Sequence, residues 1–378
     1  MTQVDTLSPM QADGVRKINA WLDTPKHKRP QEFRFFGYAG TGKTTAIATA
    51  MNNAGLHVAY IAFTGKAASV MRRNGIDAQT LHSLIYRRID DDPKTKEPRF
   101  ERAKRSEVGR YDLIVLDECS MIGEELARDL LSFGVPVLAI GDPAQLPPVK
   151  SKEKLGYFTS GKPDVMLTEI HRQAVGNPIL QLSITARNGE ILKYGNYGDS
   201  RVLFSGDIDP DELWEADQVI VGTNATRARL NKRARAHYDM TDPTPMFGDK
   251  IICIRNSPKY NIFNGEMFTV IRCDVDSSAW LSMDVVRLED PAKTIIQDVR
   301  VHRTMFVPDG ETRTDSTLGD SGRFEYGYAI TAHKAQGSQW DNLIVIDESK
   351  VFREDKDKWL YTAITRAAKT LTVGKGRI

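Results

Sequence analysis

The sequence predicts an α/β protein built from two strand–helix alternating regions, with a charged hairpin inserted in the first and an all-β stretch in the second. Three observations carry this. Apolar runs with the length and composition of buried parallel strands recur at Phe33–Phe36, Val58–Ala62, Tyr111–Leu116 and Val135–Ile140. They recur again at Gln218–Gly222, Tyr328–Thr331, Leu343–Ile346 and Leu371–Val373. Between those groups, residues 248–306 change texture to short alternating strands with an Asn264-Gly265 hairpin turn.

The first element is a helix opened by Ser8-Pro9-Met10-Gln11, with Val15, Ile18 and Leu22 as its apolar stripe. Gln11 sits where a capping box places Glu or Gln, and capping is a sufficient reason for it. A Gln about 30 residues before a phosphate loop can also read the adenine edge. After the Phe33–Phe36 strand comes Gly37-Tyr38-Ala39-Gly40-Thr41-Gly42-Lys43-Thr44-Thr45. Strand, glycine-rich turn and helix are the context of a phosphate loop, whose backbone N–H groups turn inward on a polyphosphate. By chance the pattern arises in roughly one chain in a hundred. ATP is therefore the expected ligand, with Lys43 at the β- and γ-phosphates and Thr44 on Mg²⁺.

Thr64-Gly65-Lys66 and Thr80-Leu81-His82-Ser83 follow at strand-to-helix turns, where ligands bind in open parallel sheets. A lone His82 is more commonly a cap or core residue. Residues 87–110 are crowded with charge and contain Pro93 and Pro98. They read as a protruding hairpin with Phe100 near its tip, or equally as a charged loop. Asp117-Glu118 ends the next strand. An Asp there suits Mg²⁺, and the adjacent Glu suits a base acting on water. Gln145, in the proline-stiffened turn after Val135–Ile140, is placed to sense a γ-phosphate.

In the second region Arg172 precedes a helix at residues 178–188, and Asn224 opens a basic one. Arg227, Arg229, Lys232, Arg233 and Arg235 form either a solvated face or a phosphate-backbone contact. Ala332-His333-Lys334-Ala335-Gln336-Gly337-Ser338 and Tyr361-Thr362-Ala363-Ile364-Thr365-Arg366 close the chain's motifs. Arg366 lies on a semi-apolar helix and is expected to face an anion, because arginine is seldom buried unpaired.

Composition limits the alternatives. The chain has 378 residues, 40% hydrophobic and 27% charged, enough for two or three domains with sizeable cores. A net charge of +2 means that any nucleic-acid binding rests on local patches. The three cysteines lack C-x-x-C spacing, which argues against a zinc site or a disulfide framework and fits a reducing compartment. No run is long enough for a membrane span, and the N-terminus is too polar for a signal peptide.

Taken in this order, the motifs resemble those of superfamily 1 helicases, specifically the RecD-like and Dda-like branch that moves 5′→3′. The string His333-Lys334-Ala335-Gln336-Gly337, followed by Thr365-Arg366, carries most of the specificity. The resemblance implies two RecA-like P-loop NTPase domains with an inserted β-hairpin pin and an inserted small β-barrel of Src-homology type. The expected division is 1–165 for domain 1, with the pin at 87–110, 166–246 plus 325–378 for domain 2, and 247–324 for the barrel and a loop. It further implies an ATP- and Mg²⁺-dependent DNA helicase working on single-stranded and tailed duplex DNA. A monomer in a bacterial or phage-infected cytoplasm is expected, with no membrane partner. Gln11, Gly40, Thr41, Gly42, Lys43, Thr44, Thr45 and Gly337 would hold the nucleotide, and Thr44 and Asp117 the metal. Lys43, Glu118, Gln145, Arg172 and Arg366 would carry the chemistry, the two arginines as fingers. Thr64, His82, Phe100, Asn224, Thr331, His333 and Lys334 would contact the strand, with Phe100 on the pin. Phe63 stands where the family usually has Pro; it either packs behind the strand end or offers a base a stacking surface. An RNA helicase of the same superfamily, or a nucleic-acid-dependent ATPase that remodels protein complexes, are the alternatives.

Overall fold

The computed structural model describes residues 7–52, 55–89, 99–148, 156–169, 176–277, 279–307, 318–319 and 321–376. In chain order the first strands are β1 (Glu32–Gly37), β2 (Val58–Ala62) and β3 (Ala78–Thr80). Then come β4 (Tyr86–Arg88), β5 (Phe100–Arg102), β6 (Leu113–Asp117), β7 (Val137–Gly141) and β8 (Val165–Leu167). Six of these form a parallel sheet in the order β3-β2-β6-β7-β1-β8. Alternation sends its side chains to two cores. Leu113, Val115, Leu138 and Ile140 pack with Ile18 and Ile47 of the helices at Pro9–Asp23 and Lys43–Asn52. Ile114, Leu116, Val137 and Ala139 pack with Leu81 and Leu130 on the other face. Both faces are covered, which is why these strands are continuous apolar runs. The edge strand β8 extends this sheet to Leu167, two residues past the expected boundary at 165.

The second half contributes β9 (Gly195–Tyr197), β10 (Ser200–Phe204), β11 (Gln218–Val221) and β12 (Lys250–Cys253). It continues with β13 (Met267–Val275), β14 (Trp280–Arg287), β15 (Ile295–His302) and β16 (Phe324–Tyr326). The last strands are β17 (Ala329–Thr331), β18 (Trp340–Asp347) and β19 (Ala367–Lys375). A second six-stranded sheet has the order β17-β11-β18-β19-β10-β9, parallel except for the β9–β10 hairpin. Two α/β cores of the expected kind are therefore present.

Between the Asn224–His237 helix and β17 lies a five-stranded antiparallel sheet, β15-β14-β13-β12-β16. Phe268, Val270, Leu281, Met283, Val299 and Phe324 fill its core. A turn forms at Asn264-Gly265, with Gly265 at φ +88, a conformation that glycine adopts without steric cost, but it lies within the connection from β12 to β13 at residues 254–266 and is not the expected tight hairpin. β16 completes this sheet through Tyr326, so it takes in Glu325 and Tyr326, two residues expected to belong to domain 2.

β4 and β5 make a short antiparallel ladder, Tyr86↔Arg102 to Arg88↔Phe100. The ladder starts at Tyr86, one residue before the expected hairpin, directly after a helical turn at Leu81–Ile85 capped by Thr80. Residues 90–98, with Pro93, Pro98 and the expected turn, lie outside the described residues. Phe100 is 63% exposed. Among the described residues no helix is long and apolar enough to cross a membrane.

Candidate nucleotide cleft and strand face

The glycine-rich loop joins β1 to the Lys43–Asn52 helix at the carboxyl edge of the first sheet. Gly40 and Gly42 take φ +75 and +73, the left-handed values that turn backbone N–H groups inward. A Cβ on Gly37 would meet Thr41 Oγ1 at 2.6 Å, so the strand end tolerates no side chain. Lys43 Nζ donates to Gly37 O at 2.8 Å and Tyr38 O at 3.2 Å, which holds the ammonium inside the curl of the loop. Thr44 and Thr45 are exposed at the first turn of the helix.

Gln11 does two things at once. Its Oε1 accepts from Ser8 N–H and its own N–H reaches Ser8 Oγ, closing the capping box. Its Nε2 donates to Thr41 O at 3.0 Å, bracing the phosphate loop. The side chain is buried, and it ties the first helix to the loop rather than serving as a cap alone.

Asp117 and Glu118 end β6 beside this loop. Asp117 Oδ1 accepts the Glu118 N–H at 2.9 Å, and Glu118 adopts φ +53, a left-handed conformation costly for a side chain of its kind. Burial and the neighbouring Glu118 carboxylate push Asp117 up to about 6, against the pull of Lys43. Two hard oxygen groups that repel each other beside a lysine are a donor set that a divalent cation relieves. Among the described residues no group of three or more His, Cys, Asp or Glu assembles. Mg²⁺ suits such a place, because it takes few protein ligands and completes its shell with water and phosphate.

Gln145 follows β7. It is buried, and its Oε1 has no hydrogen-bond partner among the described residues. The adjacent Asp142, 1% exposed, accepts from Ala144 N–H with one oxygen and from the Tyr361 hydroxyl with the other, at 2.5 Å. Burial raises the Asp142 carboxyl above its ordinary range while Lys43 and the Tyr361 hydroxyl pull it down.

Tyr361 comes from the second core, on the Lys356–Ile364 helix. Its hydroxyl also accepts the phosphate-loop N–H of Ala39 at 2.8 Å. Leu146 N–H donates to Thr362 Oγ1 at 2.9 Å, and Gln336 Nε2 donates to Leu146 O at 3.1 Å. Leu146 itself is buried in the second core's cluster. The Arg187 guanidinium lies 3.6 Å from the Tyr38 ring centroid. The phosphate loop, the turn after β7 and the Tyr361 helix thus face one another across a single cleft.

Arg366 is buried at the end of the same helix. It donates to Thr362 O, Ser338 O and Thr365 Oγ1 at 3.1, 3.4 and 3.2 Å. These are neutral acceptors, so the charge keeps no carboxylate partner among the described residues. Arg172 lies outside the described residues.

The residues expected to contact the strand lie on several elements of both cores. Thr64 caps the Gly65–Arg73 helix, and a Cβ on Gly337, at φ +74, would come 3.7 Å from Thr64 Oγ1. His82 is exposed and its ring lies 5.7 Å from Tyr86. Phe63 packs against the first core, the first of its two expected roles. Asn224 is exposed at the start of the basic helix, and Thr331 is buried at the N-cap of Ala332–Ala335. His333 lies 5.8 Å from Phe352, which stacks at 5.5 Å on Trp359 of the Tyr361 helix. Lys334 pairs with Glu325. Lys66, buried beside Thr64, pairs at 2.8 Å with Glu289 from the connection between β14 and β15, and Arg73 pairs with the same carboxylate at 3.1 Å.

Asp142, Tyr361 and Thr362 received no role from the sequence, although Tyr361 and Thr362 lie inside a quoted motif and Asp142 lies in the turn that carries Gln145. Asp142 had one available signal: an acid directly after a fully apolar strand. Tyr361 had none, because its partners are 219 and 322 residues away.

Residues 30–204 match a family profile described as an AAA domain, and residues 326–373 one described as a UvrD-like helicase C-terminal domain. The ATP-dependent RecD2 DNA helicase of Deinococcus radiodurans is 29% identical over 362 residues, covering 88% of this chain and 45% of that protein. The RecBCD enzyme subunit RecD of Mycolicibacterium smegmatis is 26% identical over 385 residues, covering 88% and 66%. The chain thus spans between about half and two thirds of these curated relatives. Two solved structures share the fold at 18% identity, each covering 97% of this chain and 92% of that chain. One is of two coordinating Pif1 helicases at forked double-stranded DNA, with TM-score 0.59. The other is Bacteroides Pif1 bound to single-stranded DNA, with TM-score 0.58.

Proposed function

We propose that the chain is a superfamily 1 helicase of the RecD-like 5′→3′ branch, an ATP-dependent helicase that moves along single-stranded DNA and separates duplex strands. The observation that carries this is the Ala39–Tyr361–Asp142 contact. A phosphate-loop amide of one core is hydrogen-bonded to the last motif of the other, so nucleotide at the loop is sensed by both. Binding that changes the fit between cores is the physical basis for converting hydrolysis into movement.

In this reading the Gly40–Gly42 loop and Lys43 hold the polyphosphate, with Gln11 bracing the loop. Thr44 and Asp117 hold Mg²⁺, which when bound neutralises charge on the transferring phosphoryl group. Glu118 takes a proton from water, and the free Oε1 of Gln145 orients that water. Arg366, without a carboxylate of its own, turns to developing negative charge, with Arg172 as its expected companion. The β4–β5 ladder is the base of the strand-separating pin. The five-stranded sheet is the Src-homology-type barrel, docked on the Gly65–Arg73 helix through Glu289.

The test is an unwinding assay with ATP and Mg²⁺ on matched duplexes bearing 5′ or 3′ single-stranded DNA tails, with RNA-tailed controls. Unwinding of the 5′-tailed DNA alone is expected. DNA-stimulated hydrolysis without unwinding of either duplex would favour the remodelling ATPase. The Deinococcus radiodurans relative is a DNA helicase and both Pif1 structures are with DNA, which speaks for DNA rather than RNA.

A further inference from the structure

The basic run on the Asn224–His237 helix separates by residue once its packing is known. Arg235 is buried; its Nε donates to Asp249 at 3.0 Å and its Nη2 to Thr244 O at 2.9 Å. It is a structural residue joining the helix to the start of the inserted sheet. Arg229, Lys232 and Arg233 are exposed. Arg227 is neither. Its side chain is 16% exposed, it pairs with Glu325, and its Nε is buried with no hydrogen-bond partner among the described residues.

Glu325 is shared. Its Oε2 also takes Lys334 Nζ at 2.5 Å. One carboxylate therefore faces two cations, and the cluster keeps an excess positive charge in a half-buried place. Burial and Arg227 lower the Lys334 ammonium to about 8, in line with a cation short of a counter-charge. The helix N-terminus beside it is not the anion site, because it is already filled. Glu348 accepts from Gly222 N–H at 2.8 Å, Thr223 N–H at 2.9 Å and Thr226 Oγ1–H at 2.6 Å. That leaves the Arg227–Glu325–Lys334 cluster, two cations on one carboxylate, as the unbalanced positive charge near this end of the helix.

We infer that Arg227 and Lys334, spaced by Glu325, form a preformed cradle for one phosphodiester of the bound strand, with Arg227 as a strand contact beyond the motif residues. The phosphate is the second anion that the pair of cations lacks, and a guanidinium beside an ammonium offers it charge-assisted donors. Glu325 keeps the two cations together against their mutual repulsion and limits their affinity for the strand. The inference rests on the DNA-helicase reading above.

The experiment titrates the full chain into a fluorescent oligothymidylate without nucleotide, at a series of salt concentrations, with a melting temperature for each variant. Arg227→Gln is expected to raise Kd by about tenfold, the loss of one charge-assisted contact. It should also reduce the slope of log K against log salt by about 0.7, one phosphate contact on a single strand. Arg229→Gln removes the same charge from the exposed face and should change Kd by less than about twofold. Glu325→Gln should bind more tightly, and Arg227→Lys should keep the salt slope while losing part of the affinity. Equal losses in Arg227→Gln and Arg229→Gln, or binding by Glu325→Gln no tighter than wild type, overturn the cradle. If Arg227→Gln does not fold, Glu325→Gln and Arg227→Lys decide. Failure of the wild-type chain to bind the oligonucleotide at all overturns the helicase reading with it, a result distinct from wild-type binding that Arg227 leaves unaffected.

Discussion

The Tyr361 hydroxyl donates to Asp142 at 2.5 Å and accepts from Ala39 N–H at 2.8 Å, so one side chain of the second core closes on both phosphate-site loops of the first. Tyr361 lies five positions before Arg366, and the hydroxyl therefore also sets where that arginine stands relative to the phosphate loop. Tyr361→Phe keeps the ring and removes only this bridge. Asp142 would lose its hydroxyl donor while buried, at a cost of about 1–3 kcal/mol. We expect a lower melting temperature and a raised KM for ATP, both read on the same preparation. An unchanged KM with a lowered melting temperature would make the bridge purely structural.

Asp117 gives a pH signature. Its folded-state value near 6 lies above the ordinary 3.8, so its favourable contribution is complete below about 3.8 and is lost as pH rises through about 6. Above that, the ionised Asp117–Glu118 pair destabilises the fold by at most about 3 kcal/mol. Asp117→Asn should raise the melting temperature at pH 7.5 and lose that advantage by pH 4. Mg²⁺ should raise the wild-type melting temperature at pH 7.5 and leave Asp117→Asn nearly unmoved. A Mg²⁺ shift of equal size in both proteins would remove Asp117 from the metal site.

Glu118 and Arg366 are expected to separate binding from chemistry. Glu118→Gln should retain ATP affinity while turnover falls by roughly 10²–10⁴-fold, the range for losing a general base. Arg366→Ala should lose on the order of a thousandfold or more in hydrolysis with single-strand affinity nearly intact. Single-turnover hydrolysis and oligonucleotide binding measured together check both. An Arg366→Ala protein that hydrolyses normally but releases DNA would move this arginine to the strand face.

Phe100 stands 63% exposed on β5, opposite Arg88. An exposed ring contributes little to folding, so Phe100→Ala should leave the melting temperature unchanged. Stacking on an aromatic ring is worth about 1–3 kcal/mol per base, comparable with the roughly 1.4 kcal/mol of an average DNA step. Unwinding should therefore drop sharply while DNA-stimulated ATPase persists. Full unwinding by the stable variant would sink the wedge assignment.

The sequence by itself determined the two parallel cores, the phosphate loop and the order of the motifs. These are set locally: β6 and β7 are apolar because both faces are covered, and Gly40 and Gly42 are glycines because only that residue takes φ near +75 without cost. Short edge strands such as β3, β8 and β16 carry no such pattern in three residues, and only pairing with a neighbour defines them. The same limit applies to function. That Gln11 both caps its helix and braces Thr41 was decided by tertiary structure, since one carboxamide serves two partners 3 and 30 residues away. So was the division of the basic run into a buried Arg235, an exposed Arg229 and a half-buried Arg227, because arginines along one helix differ only in what other elements bring against them. Charge is written in the chain, but whether a charge is paired, solvated or left for a phosphate depends on contacts that only folding creates.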